Sequence, residues 1–468
     1  VPLVAGVDCS TRSTKVEVRD ADTGALVAHG RAAHPPTTPP RSEQDPAAWW
    51  SAFEQAWAVA GAPSVAAIAV GGQQHGMVVL DETGAVVRPA KLWNDTESAP
   101  DAAWLWHQLG GKEAWAEACG SVPLAAFTVT KLSWLHRSEP DSWARLHRVG
   151  LPHDWMTWRL TRRWTTDRGD ASGTGYWSPA EGRYRLDLLA VVDAGLDWAG
   201  ALPAVLGPLD VAGEWHGAVV APGTGDNMAA ALGLGLRGGD VALSLGTSGT
   251  VYAVSERPTA DPSGAVAGFA DATGRFLPLV CTLNATVVTD VVAALVGASP
   301  DEAATLALEA PPGSDGLVVL PYFDGERTPD RPSATGVLAG LRSSTTRATL
   351  LRAAHEGVVC GLLDGLDALA AHAPVDGRLF LVGGGARSAA YRQLVADLSG
   401  RPVVVPDADE LVAAGACVQA AAVAHQRQPA DVAAAWGLAT GTVVEPGPGA
   451  VAAADVRAAY AARRDAEA

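Results

Sequence analysis

A chain of 468 residues is too long for one hydrophobic core, so at least two domains are expected. Lys and Arg total 34 against 51 Asp and Glu, and the resulting net charge of −17 excludes a nucleic-acid or anionic-membrane surface as the main function, although backbone amides can still hold a phosphate. Five cysteines (Cys9, Cys119, Cys281, Cys360, Cys417) are scattered and odd in number, which suits reduced thiols rather than a disulfide frame or zinc site.

In chain order, apolar runs predict strands near 3–8, 15–19 and 25–31. A helix is predicted at 46–60. Asp45 can cap it, Pro46 suits its first position, and Trp49, Trp50, Phe53 and Trp57 form its apolar stripe. A buried strand at 65–70 runs into Gly71-Gly72-Gln73-Gln74-His75-Gly76. Past residue 240 the scheme repeats, with a hairpin at 241–255, a long helix at 345–372 and a strand at 378–382. A glycine loop, a helix at 388–398, a strand at 402–405 and an Ala-rich helix at 410–425 follow. Fifteen of the sixteen tryptophans lie at or before Trp215, and the later half is rich in Ala, Gly and Val. This shift predicts a boundary between an N-terminal lobe, 1–235, and a C-terminal lobe, 236–468. Mixed strands and helices in this order mean an α/β protein. No apolar run reaches membrane-spanning length and no charged-then-apolar leader opens the chain, so a cytoplasmic location without a membrane is expected.

Two short segments carry the same design. Asp8-Cys9-Ser10-Thr11-Arg12-Ser13-Thr14-Lys15 and Ser244-Leu245-Gly246-Thr247-Ser248-Gly249-Thr250 each join two apolar strands through a Ser/Thr/Gly turn. Such turns offer N–H groups and hydroxyls to an anion, but are also what ordinary hairpins use. Asp8, at the end of its strand, either caps the turn or binds Mg²⁺ beside a phosphate. Gly223-Thr224-Gly225-Asp226-Asn227 opens a helix, and Asp226 is either its cap or a carboxylate able to take a proton from a hydroxyl. Gly383-Gly384-Gly385-Ala386-Arg387-Ser388 lies between a strand and a helix, as a plain turn or as a close approach for a flat ring or a ribose. Gln74-His75 and Trp93-Asn94-Asp95 follow strand-like runs and bring the amide, imidazole and carboxylate groups that a polyhydroxy ligand needs, although one histidine is often only structural. Three patterns mislead. Gly233-Leu234-Gly235-Leu236-Arg237-Gly238 precedes a strand instead of following one, no Walker-type phosphate loop exists, and His355-Glu356 has Val359 where a zinc protease needs its second histidine.

Taken in order, these segments resemble the FGGY family of carbohydrate kinases along nearly the whole chain. Beyond those above, Leu92-Trp93-Asn94-Asp95, Lys131-Leu132-Ser133-Trp134-Leu135, Leu151-Pro152-His153-Asp154-Trp155 (parallel to LPKDY), Thr166-Asp167 to Thr174 and Leu320 to Pro329 all match family stretches. The resemblance is nearest to the members that phosphorylate xylulose. It implies two ribonuclease-H-like lobes of the actin and hexokinase type with a cleft between them. It implies ATP and Mg²⁺, with Asp226 as general base and Asp8 positioning the metal. Thr11, Lys15, Gly246, Thr247, Gly384, Gly385 and Ser388 would bind ATP, and Gln74, His75, Asp95, Asp226 and Asn227 would bind D-xylulose. A homodimer is carried as an expectation. Other readings stay open: a kinase for ribulose, gluconate, glycerol or a sugar alcohol, or a sugar-sensing relative without catalysis. Ser10 and Ser13 stand where many members have glycine. Gln74 replaces a methionine, and Glu97 stands where an arginine commonly follows, which leaves the sugar less certain than the chemistry.

Overall fold

The computed structural model describes residues 2–408 and 410–467. Its contacts divide the chain into two units, one of residues 1–236, 256–277 and 410–439, the other of residues 237–255, 278–409 and 440–468. Leu236 is therefore one crossing point among several.

The first unit is built on a sheet whose centre is Leu3–Cys9. That strand pairs antiparallel with Ser13–Asp20, which pairs with Leu26–Ala33, and on its other side runs parallel to Ala67–Gly72. Ala218–Val220 and Thr224–Gly225 extend along Ala67–Gly72 in the same parallel sense. The helix Pro46–Val59 forms as its sequence predicts, with the Asp45 carboxylate accepting the Ala47 N–H. Its Trp49, Phe53 and Ala56 join Val7, Val16, Ile68 and Val70 in the core. Burying each such side chain stabilises the fold by about 1.5–3 kcal/mol.

The Ala-rich helix Leu411–His425, expected with the second half, packs instead in this first unit. The reason is local. A Cβ at Gly6 would collide with the Ala413 carbonyl, and one at Gly415 with the Ala229 carbonyl, so glycines let backbones touch directly. Trp436, the lone late tryptophan, joins its earlier counterparts here, lying over Gly24 and donating its indole N–H to the Ala21 carbonyl at 3.2 Å. The composition shift therefore follows the unit, not the chain position.

The second unit repeats the plan. Val241–Leu245 and Gly249–Ala253 form the hairpin, Phe276–Thr282 pairs with its second strand, and Leu379–Val382 runs parallel to its first. Val403–Pro406 and Gly441–Val444 complete the far edge. The 24-residue helix Arg347–Ala370 is capped by Thr346, whose hydroxyl accepts the Thr349 N–H. Among the described residues no single helix is long and apolar enough to cross a membrane.

Candidate active site

In the first unit, Asp8 pairs with Gly71 and Cys9 with Gly72, while Thr224 and Gly225 take the other side of the same two glycines. Asp8, Gln74 and Asp226 therefore leave the carboxyl ends of adjacent parallel strands, where open α/β sheets hold ligands. Asp226 is the first residue of the helix Asp226–Gly233. Gly225, not Asp226, holds the capping position, so the carboxylate is not consumed as a cap. Its Oδ1 accepts the Asn227 N–H at 2.9 Å and the Asn227 amide at 3.1 Å. That amide also donates to Gln74 Oε1 at 2.8 Å, and Gln74 Nε2 is buried without a hydrogen-bond partner. Burial, then the charge of Asp8, pushes the Asp226 carboxyl up to about 7, against the lowering effect of its hydrogen bonds.

Asp8 is almost wholly buried, which raises its pKa. Lys15 at 3.2 Å and the Ser10 hydroxyl, which donates to Oδ1, counter that effect. Lys15, expected at the ATP phosphates, is committed to Asp8 and to Glu410 at 2.6 Å. Burial works against its charge, but the two carboxylates outweigh that and hold its pKa above the usual value. Thr11 is likewise engaged: its hydroxyl donates to Gln73 Oε1 at 3.1 Å and accepts the Trp93 indole N–H at 2.9 Å. What this turn can still present to an anion is its backbone and the exposed Arg12 side chain.

His75 adopts a left-handed backbone, φ 66°. Its Nδ1–H donates to the Gly173 carbonyl at 2.6 Å and its ring stacks on Phe127 with centroids 4.8 Å apart. A Cβ at Gly173 would lie 2.8 Å from that ring, so glycine is what admits the imidazole.

Asp95, expected to touch sugar, is fully buried with both oxygens engaged: Oδ2 by Lys91 at 3.0 Å and the Ser42 N–H at 2.9 Å, Oδ1 by the Glu97 N–H at 3.1 Å. It supports the loop that carries Trp93. Glu97 pairs with Lys91 at 2.6 Å and Arg41 at 2.9 Å, and the Lys91 ammonium sits 3.9 Å from the Trp134 ring centroid. Lys91 carried no signal in the sequence; only its burial among Glu43, Asp95 and Glu97 reveals its part.

In the second unit, a cavity of about 660 Å³ is lined by Gly246 and Thr247 from the hairpin turn and by Gly384, Gly385 and Ser388 from the glycine loop. Segments some 140 residues apart in sequence thus share one wall. Gly383 has φ 84° and a Cβ there would lie 2.5 Å from the Leu245 carbonyl oxygen, so this turn requires glycine. A Cβ at Gly385 would lie 2.7 Å from the Leu245 Cβ, whereas Gly384 faces open space. Ser388 Oγ is buried without a hydrogen-bond partner. Thr286, Asp290, His355 and Tyr391 are among the other lining residues and were not foreseen there. His355 donates its Nδ1–H to the Leu351 carbonyl at 2.8 Å, and burial holds its pKa down at about 4, so it is neutral here and no zinc ligand set surrounds it among the described residues.

Comparison with known proteins matches residues 3–233 to the N-terminal domain of the FGGY family of carbohydrate kinases and residues 241–424 to its C-terminal domain. The xylulose kinase of Streptomyces coelicolor is 52% identical over 456 residues, 95% of this chain and 92% of that protein. The crystal structure of xylulose kinase from Bifidobacterium adolescentis shares 43% identity, with a TM-score of 0.88 and 99% of each chain covered. Gluconate kinase from Lactobacillus acidophilus has a TM-score of 0.91 at 22% identity, covering 99% of this chain and 98% of the other. The fold alone therefore does not choose the sugar.

Proposed function

This chain belongs to the FGGY family of carbohydrate kinases, and from that premise we propose that it transfers the γ-phosphoryl group of ATP to the terminal O5 hydroxyl of D-xylulose, giving D-xylulose 5-phosphate. The observation that carries the chemistry is Asp226. It is part-buried, leaves the end of a parallel sheet, is not used as a helix cap, and is raised to about 7, where a general base is most effective. Asp226 would accept the proton of the attacking hydroxyl. Asn227 donates its backbone N–H and side-chain amide to Oδ1 of Asp226, and that amide also donates to Gln74 Oε1, which holds it in place. His75, with its ring fixed by Phe127 and Gly173, would complete the sugar site.

ATP would occupy the cavity of the second unit. The adenosine would lie along Gly384 and Gly385, with Ser388 Oγ gaining the partner it lacks. Gly246 and Thr247 would face the phosphates. The buried Asp8 fits a magnesium ion. It is an oxygen donor whose charge already pushes Asp226 upward, and a divalent cation would offset that charge. Mg²⁺ bound there would neutralise charge on the transferring phosphoryl group. Most of the acceleration would come from positioning and charge neutralisation.

The identity to xylulose kinases over nearly the full chain favours D-xylulose among the sugars. Glu97, whose sign departs from the family pattern, is held in ion pairs with Lys91 and Arg41. The test is ADP release over a panel of sugars. D-Xylulose is expected to give the highest kcat/KM, with ribulose, glycerol and gluconate far lower. A polyol or ribulose ranking first would overturn the sugar, and no turnover with any sugar would overturn the kinase reading.

A further inference from the structure

Under the Asp226 turn lies a charged group that the reaction scheme does not use. His153 is fully buried, in the helix Pro152–Thr161. Its Nδ1 is 3.0 Å from Asp170 Oδ2 and 3.1 Å from Asp154 Oδ1, and its Nε2 is 3.0 Å from the Pro222 carbonyl oxygen. The space for the ring is made by glycine. A Cβ at Gly72 would lie 2.7 Å from the His153 Cβ, and one at Gly223 2.6 Å from its Cδ2. Pro222 and Gly223 lead directly into Asp226, and Asp170 sits in the short helix Arg168–Ala171 that Asp167 caps.

A carbonyl oxygen accepts and does not donate, so Nε2 must carry a proton to bond Pro222. A neutral imidazole has one N–H, so Nδ1 would then be bare and would face two carboxylate oxygens. A proton must therefore lie between Nδ1 and the facing carboxyls; burial raises both Asp154 and Asp170, and the doubly protonated ring is the arrangement that lets the Asp170 carboxylate accept from Nδ1 while Nε2 bonds Pro222. The charge balance agrees. Burial alone would lower the pKa of His153, but the hydrogen bond to Asp170 and the charges of Asp154, Asp170 and Asp167 outweigh it and raise it. Tyr176, beside Asp154 and Asp170, stays neutral. Asp226 in turn acts on Asp170 through space. Both imidazole nitrogens are committed, so the cluster is an ion pair and not a metal site.

We propose that His153 is a permanently charged positioning residue: its imidazolium ties Asp154 and Asp170 to the Pro222 carbonyl and so fixes the turn that aims Asp226. A lysine ammonium there would bring the same charge with three donors in place of two rigid ones. The functional half rests on Asp226 being the base; the protonation state does not.

The test has two arms on the full chain. In ¹⁵N-histidine-labelled protein, with His153 assigned by its absence from the His153→Lys spectrum, both ring nitrogens should remain protonated from pH 6 to 8. A single N–H at pH 7 would overturn the proposal. In kinetics, His153→Gln keeps donors but loses charge and should lower kcat about tenfold with the KM for sugar and for ATP unchanged. His153→Lys should recover most of that loss. Wild-type kcat in the Gln variant, or a Lys variant no better than Gln, would overturn it. Should the Gln variant not fold, the spectrum decides. Should Asp226→Asn turn over normally, the base reading falls while the spectrum still tests His153.

Discussion

Replacing Asp226 by asparagine isolates the charge of one carboxylate. The amide oxygen can still accept the Asn227 N–H now bonded to Oδ1 at 2.9 Å, and asparagine is accepted near helix starts, so the helix Asp226–Gly233 should persist. Loss of a general base costs about 10²–10⁴ in rate, or about 2.7–5.4 kcal/mol of barrier. The assay is ADP release at saturating ATP, magnesium and D-xylulose. Wild-type kcat/KM for the sugar, from sugar titrations at fixed ATP and magnesium, should climb tenfold per pH unit on the acid side of the Asp226 carboxyl and then level; burial keeps that point above the ordinary carboxylate value, and magnesium at Asp8 would bring it below the metal-free value of about 7. The variant should lose that limb. Stability supplies an independent check. The folded carboxyl keeps its proton up to about 7 while the unfolded chain loses it near 3.8, so the folded state binds more protons in that window. Wild-type stability should therefore fall as pH rises from about 4 to 7, by at most about 4 kcal/mol, the equivalent of that shift. The ligand-free, metal-free Asn variant should lack this loss and melt no lower than wild type at pH 8. Turnover within tenfold of wild type, in a folded variant, would refute the reasoning.

Asp8→Asn should raise the magnesium concentration needed for half-maximal rate. At low magnesium, where the Asp8 charge is not offset, it should also move the acid limb of kcat/KM to lower pH, because it removes a charge that raises Asp226; a magnesium titration at several pH values checks both. Gly385→Ala places a methyl 2.7 Å from the Leu245 Cβ in the cavity wall and should weaken ATP binding by about tenfold, equivalent to about 1.4 kcal/mol, while calorimetry shows D-xylulose affinity unchanged. Asp95→Ala strands the Ser42 and Glu97 N–H groups and removes a partner of Lys91, so it should destabilise the fold by about 3 kcal/mol, read as a lower urea midpoint. If instead only sugar affinity fell, Asp95 would be a ligand contact. His75→Ala should lose D-xylulose affinity and leave ATP affinity as it was, measured by calorimetry on one preparation.

Much of this protein was legible in its sequence because the signals are local. Apolar periodicity and Asp45-Pro46 set the helix Pro46–Val59, and the paired Ser/Thr/Gly turns lie between the strands where they were expected. Gly246, Thr247, Gly384, Gly385 and Ser388, which share one cavity, stood out because a loop that lets backbone approach a ligand is written in small residues. Whether a polar group faces a ligand or a neighbour is a long-range matter, and there the tertiary structure decided. Asp95 and Lys15 read as ligand contacts, but Lys91, four residues away, and Glu410, nearly 400 residues away, claim them. Asp226 could be a cap or a free carboxylate until Gly225 took the capping position. The Ala-rich helix Leu411–His425 gave its helicity to sequence inspection but not its partners, because small side chains pack closely against any glycine-bearing surface, and only the fold brings Gly6, Ala229 and Gly233 to it. His153 is the extreme case. Its charge follows from two acceptors on separate elements, and no pattern along the chain records that they meet.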